Sequence, residues 1–171
     1  MLLDRTQAYS EIWDKVFDKL HFQPCCEEGA DTPVPFRIVE PYAVYDIKNM
    51  TDGQRGLLDS TIGDVFIRIT QSGQLIYALD WQHSAFLYDP RDPSGQQSLW
   101  VDDPDQPFGR YLAEFPEFYP DGDYYFFIEE NFAFGYLAHP WRQEVWIFGD
   151  DLIREMDAIH KKLGWSRIKN E

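Results

Sequence analysis

Tyr9, Ile12, Trp13, Val16, Phe17 and Leu20 recur at i, i+3, i+4, i+7, i+8 and i+11, which predicts a helix with one apolar stripe. Asp4 or Thr6 is placed to cap it. The pattern then breaks: residues 21–36 hold Pro24, Gly29, Pro33 and Pro35 and read as a loop. Residues 36–47 read as extended, and Pro41 limits them to an edge strand or a break between two short strands. Thr51 and Gln54 have capping-box spacing, and Leu58, Ile62, Val65, Phe66 and Ile69 carry the helical period onward to Ser72-Gly73. Gly63 costs that helix up to about 1 kcal/mol. Strand patterns follow at roughly 74–82, 84–89, 123–130, 132–138 and 143–148. Between them, residues 90–122 are rich in Pro, Gly and Asp and read as a long loop with one short strand or turn near Leu99–Val101. Loops of that length in compact domains are often functional. Finally, Leu152, Ile153, Met156, Ile159 and Leu163 form a helical stripe, with Asp150 and Asp151 in its first turn and Gly164 after its last. This order predicts an α+β protein. The expectation is an antiparallel sheet of five or six strands, packed on one face by about three helices, with residues 1–171 forming a single domain.

Charge narrows the function classes. The 171 residues carry 30 acidic and 15 basic side chains, a net charge of −15. That balance repels a phosphate backbone, and the nearest basic group (Arg154, Lys161, Lys162, Arg167, Lys169) reads as the cationic end of a helix. Nucleic acid and anionic membrane surfaces are therefore not expected partners, whereas a basic protein is. No apolar run approaches the roughly 20 residues of a spanning helix, and Asp4 and Arg5 interrupt any signal-peptide core. Adjacent Cys25 and Cys26 read as ordinary thiols in a loop, so a cytoplasmic location is expected.

Candidate chemistry concentrates in three segments: Tyr77-Ala78-Leu79-Asp80-Trp81-Gln82-His83, Pro120-Asp121-Gly122-Asp123-Tyr124-Tyr125 and His139-Pro140-Trp141. They offer Asp80, His83, Asp121, Asp123 and His139, with Glu129 and Glu130 nearby. Such residues can hold a divalent metal or act as an acid/base pair. On a continuous strand, however, Asp80 and His83 point to opposite faces, so they share a ligand only if the strand ends or bulges between them. On that continuous strand His83 shares the face of Tyr77, Leu79 and Trp81, which places it at the rim of an aromatic core. Pro120–Asp123 is turn chemistry, and Pro140 keeps His139 extended at a strand end, from which it could face Asp80 or Asp121. The Asp103–Glu114 segment is not an EF-hand, because Phe108 stands where the calcium loop needs Gly. A phosphate loop, a nucleophile elbow and a paired-His zinc helix are also missing from the sequence. No cofactor and no metal is assigned at this level.

The words YALDWQH (77–83), PDGDYY (120–125) and HPW (139–141), followed by an apolar strand and Phe148-Gly149, resemble a bacterial family of unknown function found in bacilli and actinobacteria. The resemblance is strongest from about 74 to 153. Ala138 stands where the family places a glycine before the histidine. The resemblance implies no activity, cofactor or catalytic residue.

Two functional readings follow. The first is a non-enzymatic, acidic protein-binding domain, immunity- or antitoxin-like, that neutralises a basic partner such as a toxin. Its candidate surface is Asp102, Asp103 and Asp105 with Phe108 and Tyr111. The second is a small enzyme or metal- or ligand-binding domain using Asp80, His83, Asp121, Asp123 and His139 at one end of the sheet.

Overall fold

A computed structural model describes residues 1–4, 6–25, 35–39 and 41–168. Cys26, Lys169 and the middle of the proline-containing loop, with Gly29 and Pro33, lie outside the described residues. Helix α1 (Gln7–Leu20) starts where Thr6 Oγ1 accepts the Tyr9 N–H at 3.2 Å, and it buries Ile12, Trp13, Val16 and Leu20. Asp4 does not cap it; its carboxylate accepts the Ala85 N–H instead. The capping box at Thr51–Gln54 is present, but it opens only a single turn, α2 (Asp52–Arg55), and a separate α3 (Leu58–Ile69) carries the apolar stripe. Helix α4 (Asp150–Ile159) ends one turn earlier than its stripe, and Gly164 closes the following turns at a positive φ of 75° beside Gln54.

The strands are β1 (Tyr42–Asp46), β2 (Ile76–Asp80), β3 (Ser84–Tyr88), β4 (Leu99–Asp102), β5 (Arg110–Ala113), β6 (Tyr125–Glu129), β7 (Gly135–His139), β8 (Glu144–Phe148) and β9 (Ser166–Ile168). Seven of them form one antiparallel sheet in the order β3-β2-β6-β7-β8-β1-β9, and β4-β5 form a separate ribbon. The α+β class holds, with seven strands rather than five or six. Pro41 precedes β1 and so removes no ladder hydrogen bond. Strand β1 lies between β8 and β9 instead of at an edge.

Helices cover both faces, which differs from the one-sided packing the sequence predicts. Register explains the two cores. Ala43, Ile147, Tyr136, Phe127, Ala78 and Phe86 stand side by side across six strands and pack with Leu58, Ile62, Val65 and Phe66 of α3 and Leu152 and Met156 of α4. The next row, Val44, Trp146, Leu137, Phe126, Leu79 and Ala85, faces the other way, against α1 and Phe22 and Phe36. One-residue alternation thus feeds two separate cores, and this absorbs most of the aromatic surplus of 13 Phe, 10 Tyr and 6 Trp. The long segment after β3 also packs on the α3–α4 side, through Ala113, Phe115 and Phe118. No helix among the described residues is long and apolar enough to cross a membrane.

Candidate functional site

Strand β2 stops at Asp80, which pairs with Ser84, and residues 81–83 form the turn of the β2–β3 hairpin. The His83 N–H donates to the Asp80 carbonyl at 3.1 Å, and Gln82 takes a φ of +68°, left-handed backbone that costs a side-chain-bearing residue about 1 kcal/mol. This turn reverses the alternation expected of a continuous strand. The imidazole of His83 swings back over Asp80, with Nδ1 3.1 Å from Asp80 Oδ1. His83 is therefore not at the rim of an aromatic core: its side chain is 63% exposed. Trp81 takes the core position, edge-on to Phe22 and Tyr124.

The second word arrives through the β2–β6 pairing. The Trp81 N–H donates to the Tyr124 carbonyl at 3.1 Å, which sets Asp123 beside the hairpin turn. Asp123 accepts the Tyr124 N–H on Oδ1 and turns Oδ2 to within 3.1 Å of the same His83 Nδ1. The Tyr125 hydroxyl donates to Asp121 at 2.5 Å and holds that carboxylate at the rim. A cavity of about 270 Å³ results, lined by Asp80, His83, Glu114, Asp121 and Asp123 with Leu112 and Tyr125. Four carboxylates and one imidazole line it, with no lysine or arginine among the described residues.

Electrostatics follow from this crowding. Burial pushes the Asp80 carboxyl up to about 6, helped by Asp123 and Asp121 and opposed by its hydrogen bond to His83. Burial also raises the Asp123 carboxyl. Burial alone would lower His83, but the hydrogen bond to Asp80 and the charges of Asp80, Asp123 and Glu114 outweigh it, so His83 holds its proton more tightly than a free imidazole. Asp80, His83 and Asp123 each offer one ligand atom within 4.8 Å of the others, the arrangement among the described residues able to hold a metal ion.

His139 does not join them. Asp80, Tyr125 and Ala138 are register partners and share a face of the sheet, so His139, one residue further on, points to the opposite face. There it is fully buried, its ring 4.7 Å from that of Tyr124, its Nε2 3.4 Å from the Tyr124 hydroxyl and its Nδ1 accepting the Arg142 N–H. Burial, with the charge of Arg142, lowers its pKa to about 3, so it is neutral. The Tyr124 hydroxyl also donates to the Cys25 carbonyl and accepts the Cys25 N–H, which pins the chain after α1. Pro140 and Trp141 approach the Pro120–Gly122 turn from its other side, where they line a 360 Å³ cleft with Arg55, Tyr119, Asp121 and Gln143. Glu129 is committed to the β6–β7 turn, where it accepts the N–H groups of Asn131 and Ala133.

The acidic surface near residue 105 divides in the same way. Asp103 is buried at 2% exposure and organises the β4–β5 loop, accepting the Asp105 N–H at 3.1 Å. Tyr111 packs inward, its hydroxyl donating to Asp4. Asp102 and Asp105 are exposed, and Phe108 is 90% exposed at the ribbon tip. Sequence reasoning did not single out Trp100 and Leu112. They pair across the ribbon's outer face, Trp100 is 63% exposed, and Arg110 stacks over its ring. The pairing of β4 with β5 was the missing signal, since Arg110–Ala113 is only four residues long, too short to show an alternation by itself. Leu112 also lines the carboxylate cavity, so ribbon and cavity form one surface.

The model of a family described as "Protein of unknown function (DUF2716)" matches residues 3–153. The chain is 32% identical over 127 residues to the uncharacterized protein YxiI of Bacillus subtilis (strain 168), over 69% of this chain and 71% of that protein. No solved structure matches.

Proposed function

The chain belongs to the DUF2716 family of proteins of unknown function, and from that premise we propose that it is a non-enzymatic, protein-binding domain that captures a basic partner, in the manner of an immunity protein or antitoxin. The observation that carries this reading is the β4–β5 ribbon. It presents Trp100, Phe108 and Leu112 to solvent beside Asp102 and Asp105 and continues through Leu112 into a cavity of four carboxylates. Exposed aromatics next to acidic groups supply the two parts of a tight interface. Burying each large apolar side chain contributes about 2 kcal/mol, and the carboxylates steer a cationic partner and set its register. The net charge of −15 extends the steering field beyond the contact itself.

The test is calorimetric titration with the basic proteins among the neighbouring gene products, at about 50 mM and about 150 mM salt. The expected result is a 1:1 complex that weakens with salt. Trp100→Ala and Phe108→Ala should each reduce affinity at least about 30-fold, the loss of a contact worth 2 kcal/mol. Asp102→Asn with Asp105→Asn should instead slow association. A complex indifferent to Trp100→Ala and Phe108→Ala, or no complex at low salt with any neighbouring gene product, overturns the reading.

A further inference from the structure

We propose that Asp80, His83 and Asp123 form a mononuclear binding site for a first-row divalent cation, Mn²⁺ or Zn²⁺, inside the carboxylate cavity. The site goes beyond the partner-binding function and does not depend on it. Its argument begins with one atom. His83 Nδ1 stands 3.1 Å from Asp80 Oδ1 and 3.1 Å from Asp123 Oδ2, oxygens of two different residues. A ring nitrogen carries at most one hydrogen, directed in the plane of the ring, so it can satisfy only one of the two carboxylates well. A cation between the three satisfies all of them.

The spacing fits. Ligand bonds of about 2.1 Å place neighbouring ligand atoms about 3.0 Å apart in an octahedron and about 3.4 Å apart in a tetrahedron. The two distances of 3.1 Å fall within that interval, and all three ligand atoms lie within 4.8 Å of one another. Donor chemistry selects the ion. Two carboxylates with one imidazole are too nitrogen-rich for the all-oxygen shells of Ca²⁺ and Mg²⁺ and lack the thiolates that soft ions require. An ion would also relieve the repulsion that Asp121 and Asp123 impose on Asp80, a carboxylate only 5% exposed.

The fold supplies both preorganisation and access. Asp80 and Asp123 come from neighbouring strand ends, and the left-handed Gln82 returns His83 to them, so the three ligands are in place before an ion arrives. The remaining coordination positions open toward Glu114 and Asp121. They also adjoin a second cavity, of 480 Å³, that shares His83 and Leu112 and is otherwise lined by Asp4, Tyr9, Gln82, Gln106 and Tyr111.

The experiment uses the full chain, stripped with chelator and titrated by calorimetry at pH 7 with MnCl₂ and, separately, with ZnCl₂. One ion per chain is expected, with a Kd of about 10 μM or tighter. His83→Ala should weaken uptake about 100-fold and Asp123→Asn at least about 10-fold, while His21→Ala leaves it unchanged. Mn²⁺ electron spin echo spectra should carry an imidazole nitrogen coupling that His83→Ala removes. His83 and Asp123 are not core residues, so both variants remain folded by near-UV circular dichroism. No uptake up to about 1 mM, or a change of less than about threefold in His83→Ala, overturns the site; the latter outcome would leave only loose carboxylate binding.

Discussion

One end of the sheet carries a histidine on each face, and the two live in opposite worlds. His83 stands in water between Asp80 and Asp123, and their charge raises its proton affinity. His139 lies beneath Tyr124 with no exposed surface, and burial together with Arg142 lowers its pKa to about 3. Both belong to short, recognisable words of the sequence, yet only one is in a position to meet a ligand. The other holds Tyr124, which in turn holds the backbone of Cys25. A conspicuous residue type marks a place in the chain. The face on which that place falls decides whether it binds or builds.

The sharpest way to break the comparison is pH. His139 is neutral in the fold down to about 3, whereas in the unfolded chain it takes up a proton near 6.5. Its contribution is therefore intact above 6.5 and is lost as pH falls toward 3, a loss on the order of 4 kcal/mol over that range. Asp80 and His83 run the other way. Their folded pKa values are raised, so what they contribute is present at low pH and disappears as pH rises through about 6 for Asp80 and above 6.5 for His83. Denaturant unfolding from pH 3 to 8 should show acid destabilisation that His139→Gln flattens and His83→Gln does not. A slope unchanged in His139→Gln would sink the assignment of a buried neutral imidazole.

Substitution at constant pH is the next largest effect. His139→Ala leaves a cavity and deprives the Arg142 N–H of its acceptor, and should cost about 3 kcal/mol at pH 7. His83→Ala removes a mostly solvated side chain together with its hydrogen bond to Asp80, and should cost only about 1 kcal/mol. Equal losses at the two positions would erase the distinction between the faces. The smallest effect sharpens it: Asp80→Asn replaces a carboxylate that the fold ionises reluctantly, and should stabilise the metal-free protein by about 1 kcal/mol at pH 7 and by nothing at pH 4. Adding MnCl₂ should reverse that order, because the charged carboxylate ligates a divalent cation more strongly than the neutral amide oxygen of Asn.

Periodicity revealed most of the elements and few of their neighbours. The stripe of α1 and its Thr6 cap were readable because each rests on residues within four positions of one another. The stripe of α3 was readable too, but Gly56 separates it from the capping box that seemed to start it. Strand β9 was not legible: three exposed residues, Ser166–Ile168, have no alternation to betray them, and they form a strand because β1 offers an open edge. Strand β5 was hidden for a related reason, since its outer face is polar and apolar by turns and only its partner β4 makes it a strand. In the cavity, Asp80, Asp121 and Asp123 were identified as candidates with His83. Their convergence depended on the left-handed turn at Gln82, which no alternation rule contains.

The class of the protein, its acidic character, its helices and the hairpin-rich order of its strands are all legible from the chain alone. Those properties come from local spacing and from charge, which the chain carries wherever it goes. Tertiary structure decided which residues share a face. Register across β2, β6 and β7 set Asp80 on one side and His139 on the other, and antiparallel pairing brought Asp123 to His83 from 40 positions away. Such contacts depend on how separate segments align, and a side-chain period of two means that a single residue of slip would exchange the wet face for the dry one.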